Sequence, residues 1–270
     1  MSIVYFISSI YGLLIGSFFN VCISRIPKGI SIVFPASNCP KCKAKIRWFQ
    51  NIPVVSYLYL RGRCAECKTE ISMIYPLIEI LTTIILLIII HHFSHLAYKD
   101  LIINSTLYFI FFGALLISSF IDLRFFIIPD RFTIGGIFFG ILVSTIYPQL
   151  HGFRYAEEGF IFSFVSCLIC FSILNVVRVG GSIIYKREAM GFGDIKLVGA
   201  FGAFLGWKTG LLAIFLASII GSIFGVCSII FSHNKMRSEI PFGPYLSIGA
   251  FLAAIYGEEL ITLYHKLLIF

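Results

Sequence analysis

The hydrophobic pattern divides the chain into eight apolar runs separated by polar stretches. They cover about residues 3–21, 74–93, 101–121, 133–148, 159–177, 195–207, 210–231 and 245–262. Roughly 20 apolar residues carry a helix across a bilayer. The pattern therefore predicts an all-α polytopic membrane protein of about eight transmembrane helices. The runs at 133–148 and 195–207 are the shortest. Their glycines (Gly135, Gly136 and Gly140; Gly199, Gly202 and Gly206) suit close helix–helix packing. The first run lacks a basic leading region and a small-residue cleavage site, so it reads as a retained helix and not as a signal peptide. No low-complexity segment and no internal repeat is apparent.

Composition agrees with that pattern. Of 270 residues, 59% are hydrophobic and 13% charged, about half the roughly 25% charge of a soluble domain. The mean hydropathy is +0.96. The net charge of +8 reads as a topology signal, and no nucleic-acid partner is expected. If successive loops alternate sides, nine basic residues fall in 24–72, two in 122–132, four in 178–196 and two in 232–243. The opposite side keeps only Lys99, Arg154, Lys208 and Lys266. The positive-inside rule makes the first set cytoplasmic. Three parts follow: a first transmembrane helix (1–23), a cytoplasmic domain (24–72) and a transmembrane core (73–270).

The cytoplasmic domain holds Cys39-Pro40-Lys41-Cys42 and Cys64-Ala65-Glu66-Cys67. Two CxxC turns each aim two thiolates at one point, the logic of a tetrahedral four-cysteine zinc site. A metal would fold a segment too small to build its own core. A reducing cytoplasm disfavours disulfides, and four thiolates leave no open position, so the expected zinc is structural. Cys167 and Cys170 share the spacing but sit inside an apolar run; they and Cys22 and Cys227 read as small apolar packing residues.

The candidate chemistry lies in two aspartates. Asp194 stands at the mouth of an apolar run in Met190-Gly191-Phe192-Gly193-Asp194-Ile195-Lys196, and Asp122 closes another in Ser119-Phe120-Ile121-Asp122-Leu123-Arg124. A carboxylate at membrane depth is costly and points to function. The plainer reading is that each snorkels to water or pairs with Arg124 or Lys196. Both, however, fall on the same predicted side at helix ends, and one follows two glycines, which allow close approach of backbones. Two carboxylates within a few ångströms do not both ionise easily, so such a pair holds one proton. One member can then activate water while the other polarises a carbonyl. Asp130, after Pro129, reads as a supporting residue or as the N-cap of the fourth run. Glu79, about one turn into the second run, is a candidate substrate contact. His91, His92 and His95 read as an interfacial cluster. No glycine-rich phosphate loop, Ser-His-Asp arrangement or HExxH is present.

These motifs resemble the bacterial type IV prepilin peptidases, bifunctional leader peptidase/N-methyltransferases of the GxGD aspartic protease group. The resemblance runs through Gly16-Ser17-Phe18-Phe19-Asn20-Val21, Arg25-Ile26-Pro27, Asn51 to Tyr57, both CxxC pairs and Tyr75-Pro76-Leu77-Ile78-Glu79. It continues through Ile121-Asp122, Ile128-Pro129-Asp130, Gly191 to Lys196 and Pro241-Phe242-Gly243-Pro244-Tyr245. Phe192 stands where many relatives carry methionine. The resemblance implies Asp122 and Asp194 as the catalytic pair, with Gly191, Gly193 and Lys196 in their motif. It implies prepilins or type II secretion pseudopilins as substrates, cleaved at the cytoplasmic face of the bacterial inner membrane. It also implies S-adenosylmethionine as donor for methylating the new N-terminus, without assigning its residues. Two alternatives stand beside this: a peptidase without methyltransferase activity, and a non-enzymatic zinc-stapled membrane scaffold or transporter.

Overall fold

The computed structural model describes residues 2–186, 190–232 and 241–268. Of the basic residues used above for topology, Arg187, Lys235 and Arg237 lie outside the described residues. Those described form α1 (Ser2–Arg25), a short α2 (Val55–Tyr59), α3 (Ile74–His92), α4 (Tyr98–Phe125), α5 (Asp130–Ile146), α6 (Ala156–Tyr185), α7 (Phe192–Leu205), α8 (Trp207–Ser232) and α9 (Gly243–Leu268). Apart from α2, each corresponds to one predicted run, and no strand occurs among the described residues. The protein is an all-α multi-pass membrane protein. Six helices (α1, α3, α4, α6, α8 and α9) are long and apolar enough to cross a membrane. The other two, α5 with 17 residues and α7 with 14, are shorter.

The chain divides into two compact units, Met1–Ile117 and Ser118–Phe270. In the first, α1 packs along α3. Glycine makes that approach close: a Cβ at Gly12 would lie 2.8 Å from the Thr83 backbone, and one at Gly16 2.7 Å from that of Glu79. Gly113 likewise lies against the Phe19 ring, where a Cβ would come within 2.7 Å.

In the second unit α7 is the innermost element. It packs against α5, α6, α8 and α9, and every residue from Asp194 to Leu205 except Lys196 is buried. A helix enclosed by other helices need not match the bilayer thickness, which accounts for its 14 residues. Small residues set the packing distance. A Cβ at Gly140 would sit 2.8 Å from Ala203, and one at Gly202 would fall 2.3 Å from the Ser166 carbonyl oxygen. The expectation fails for Gly135, which faces open space. Gly206, with φ +82°, ends α7 in a conformation L side chains avoid. Cys22, Cys167 and Cys170 are buried as expected, whereas Cys227 is exposed.

Candidate active site and metal centre

Helix ends bring the two aspartates together within the second unit. The helix carrying Asp122 runs further than the hydrophobic pattern indicates, so Asp122 lies inside the last turn of α4. Phe126, at φ +55°, ends that helix, its N–H donating to the Asp122 carbonyl oxygen at 2.9 Å, the left-handed helix stop usually given to glycine. Asp194 lies in the first turn of α7. Both side chains are buried, Asp122 to 6% and Asp194 to 8% exposure, and the charge of Asp122 acts directly on Asp194.

A third helix end completes the arrangement. The N–H of Gly243, the first residue of α9, donates to Asp122 Oδ2 at 3.0 Å. The start of a long helix is a natural seat for a carboxylate. The segment after α4 folds back so that Ile128 packs beside both Gly193 and Gly243: a Cβ at Gly193 would meet Ile128 Cβ at 3.3 Å, and one at Gly243 would meet Ile128 Cδ1 at 3.1 Å. Neither Gly191 nor Gly193 has a positive φ. Gly193 is thus needed for space and not for an unusual backbone angle. A Cβ at Gly191 would make only an ordinary contact, 3.5 Å from Asp194 Oδ2.

Lys196 does not neutralise its neighbour Asp194. Its ammonium pairs with Asp130 Oδ1, and this holds the Asp130 carboxyl below its ordinary range. Asp130 also accepts from Thr133 Oγ1 at 3.4 Å. It is the first residue of α5, and the N-cap position belongs to Pro129; the N-cap reading of Asp130 is corrected accordingly. Phe192 forms a platform for two cations, with Arg178 Cζ 5.5 Å and Lys196 Nζ 5.4 Å from its ring centroid. Sequence reasoning gave no role in the site to Gly243 or Ile128, which it met only as motif residues, or to Arg178, which it counted only among the basic loop residues. The Gly243-Pro244 pair was a usable signal, because proline in a first helical turn marks a helix start and its orphan N–H groups.

Glu79 lies in the first unit, buried in α3, and its Oε2 accepts from the Val54 N–H at 2.7 Å. Val54 has φ +59° and ψ −49°, an outlier for a β-branched residue. The carboxylate therefore holds a strained turn in place just before α2. His91 Nδ1 lies 3.3 Å from the Tyr5 hydroxyl.

The four cysteines Cys39, Cys42, Cys64 and Cys67 converge, their sulfurs all within 4.8 Å of one another. Cys39 and Cys67 Sγ are 3.8 Å apart, and Cys42 and Cys64 Sγ 4.0 Å. A tetrahedral ion with metal–sulfur bonds of about 2.3 Å separates its ligands by about 3.8 Å, so the four residues fit a closed tetrahedral metal. Among the described residues no other group of three or more such ligands is brought together. Each knuckle folds alike. Lys43 donates its N–H to the Cys39 carbonyl and Lys68 to that of Cys64, both with positive φ. Cys39 N–H then reaches the Ala44 carbonyl and Cys64 N–H that of Thr69. Antiparallel bridges Asn38–Lys45 and Arg63–Glu70 close the two turns. This is an internal repeat that sequence analysis did not draw out, although Cys39, Cys42, Lys43 and Ile46 recur in the same spacing as Cys64, Cys67, Lys68 and Ile71.

A helical membrane protein with a buried aspartate pair beside a GxGD turn is the class that this architecture defines. The chain belongs to the type IV leader peptidase family. Residues 109–226 match the type IV leader peptidase family and residues 10–93 the bacterial peptidase A24 N-terminal domain. It is similar to the prepilin leader peptidase/N-methyltransferase of Pseudomonas aeruginosa, with 31% identity covering 94% of this chain and 90% of that one. The protein of the same name from Bacillus subtilis is 30% identical, covering 96% of each chain, and that from Legionella pneumophila is 29% identical, covering 96% and 94%. No solved structure matches the chain.

Proposed function

We propose that this protein cleaves the basic leader from type IV prepilins or type II pseudopilins and then methylates the new N-terminus. The observation that carries the peptidase half is the burial of Asp122 and Asp194, with the charge of Asp122 bearing on Asp194, in a chain whose relatives bear that name. With one proton shared between the pair, the ionised carboxylate takes a proton from water as the oxygen attacks the scissile carbonyl. The protonated partner gives its proton to the carbonyl oxygen, and collapse of the adduct releases the amine with a proton returned from the dyad. The Gly243 N–H fixes one oxygen of Asp122 and leaves the other for this work.

The metal of the four-cysteine site is zinc, held by Cys39, Cys42, Cys64 and Cys67 with a structural role. The 24–72 domain and both aspartates lie on the cytoplasmic side of the inner membrane, as the basic loops favour. S-adenosylmethionine enters as the methyl donor on the relatives' methyltransferase name; no cluster of described residues marks its pocket. The test is cleavage of a purified prepilin by wild type, Asp122→Asn and Asp194→Asn, all with equal zinc content. Loss of cleavage in both variants is expected, and retention in both overturns the dyad. Label transfer from S-adenosylmethionine to processed pilin tests the second activity; its absence leaves a peptidase alone.

A further inference from the structure

Between the two cysteine knuckles the chain shows large apolar side chains to the outside. Trp48 is 81% exposed and Tyr59 85%, and Phe49, Val55 and Leu58 are exposed with them. They belong to two adjoining pieces, the 3-10 turn Trp48–Asn51 and α2, which pack on each other. An apolar group of this kind on a polar segment marks an interaction surface.

Charge and tethering indicate what covers it. Exposed basic residues bracket the apolar ones, Lys43, Lys45 and Arg47 before and Arg61 and Arg63 after. Over 24–72, nine basic residues face only Glu66 and Glu70. A four-thiolate centre holding a divalent cation adds two negative charges and still leaves a positive excess. The segment is also anchored at both ends, because α1 and α3, which flank it and pack on each other, are both apolar enough to cross the bilayer. Its two ends therefore meet the same membrane face.

We propose that the Trp48–Asn51 turn and α2 form a membrane-docking surface. The exposed Trp48, Phe49, Leu58 and Tyr59 enter the interfacial layer, and the flanking lysines and arginines contact the headgroups of anionic lipids. Tryptophan and tyrosine favour this depth, where the ring meets acyl chain and the polar edge meets water. Basic clusters beside spanning helices are drawn to anionic leaflets. The assignment rests on the membrane topology and not on the peptidase chemistry.

The chain has two tryptophans, which gives a direct test. Trp207→Phe in the full-length protein leaves Trp48 as the only indole. In bilayers containing phosphatidylglycerol, Trp48 emission is expected to be blue-shifted from that of an indole in water, and bromination of that lipid near the headgroup should lower its intensity. Lys45→Gln, Arg47→Gln and Arg63→Gln together should abolish the excess quenching in anionic over phosphatidylcholine bilayers. If Trp207→Phe does not fold, the difference between wild type and Trp48→Phe isolates the same emission. Water-exposed, unquenched emission in every bilayer overturns the proposal. So does a blue shift that appears only when an apolar pilin peptide is added, which would assign the surface to the substrate. Loss of prepilin cleavage by Asp122→Asn leaves this optical readout unchanged, so the two readings fail separately.

Discussion

Gly243 at the start of α9 donates its backbone N–H to Oδ2 of Asp122 in the last turn of α4, at 3.0 Å. The contact is close because residue 243 has no side chain: a Cβ there would stand 2.7 Å from the same oxygen and 3.1 Å from Ile128 Cδ1. Gly243→Ala is therefore expected to push the Asp122 carboxylate aside. Displacement of a reacting group by about 1 Å can cost on the order of 100-fold in rate. Prepilin cleavage by Gly243→Ala should fall by about that factor, with an unchanged elution volume and helical circular dichroism. Near-normal cleavage would mean that the carboxylate tolerates the shift.

The Lys196–Asp130 pair should matter for rate more than for stability. Asp130 is exposed, and exposed pairs contribute little to folding. The pair ties the start of α5 to the first turn of α7, two residues from Asp194. Lys196→Met and Asp130→Asn are each expected to lower kcat about tenfold through misplacement of Asp194. Joint reversal, Asp130→Lys with Lys196→Asp, should recover part of the loss. Equal rates for all variants would remove this positioning role.

The same pair gives a pH expectation. Its hydrogen bond and charge contact with Lys196 hold Asp130 below its ordinary value, which is about 3.9 for a free aspartate. A lowered folded-state value means that the contribution is present above the unfolded value and disappears as pH falls through the folded one. Between about pH 5 and 8 Asp130 therefore stays ionised. The limbs of the pH–rate profile of Asp130→Asn should coincide with those of wild type, only lower in height. A limb that moves would place Asp130 among the titrating groups of the reaction.

Removing the metal should loosen the knuckles and little else. Cys39→Ser or Cys64→Ser is expected to release zinc and speed proteolysis within 24–72, because the ion supplies most of what folds so small a segment. Acid should act likewise by protonating the thiolates. Intact metal content, or an unchanged digestion pattern, would count against the four-cysteine site.

Packing of α5 on α7 offers a test of stability. A Cβ at Gly140 would lie 2.8 Å from the backbone and side chain of Ala203. Gly140→Val should cost about 1–3 kcal/mol, read as a lower Tm in detergent, whereas Gly135→Ala, facing open space inside α5, should hold or slightly raise Tm, because alanine favours a helix interior over glycine.

The helices were legible because apolar runs of bilayer length have few other fates. The cysteine knuckles were legible because metal spacing is local. The proximity of Asp122 and Asp194 could be inferred only as far as their shared side of the membrane. Three features were hidden. Helix α7 is surrounded by protein, yet its composition matches that of a lipid-facing segment. The partner of Lys196 is 66 residues away, and helical spacing offers no hint of it. The group that fixes Asp122 is the backbone N–H of Gly243; Gly243-Pro244 signals that a helix starts there but not which side chain its N–H meets. Phe192, which stands where many relatives carry methionine, carries two cations on its ring, a role methionine lacks.

The paired knuckles have one more consequence. Because Asn38–Lys45 and Arg63–Glu70 close the same turn twice, the stretch between them leaves the cluster and returns to it like the thread of a buttonhole. Its two ends are set by the sulfurs and not by its own length. Lengthening a flexible loop twofold costs only about 0.6 kcal/mol, so residues can be inserted or lost on either side of the Val54 turn, which Glu79 holds to α3, while α1 and α3 keep their places. The part of the molecule that meets its surroundings can thus vary in length while the part embedded in lipid does not.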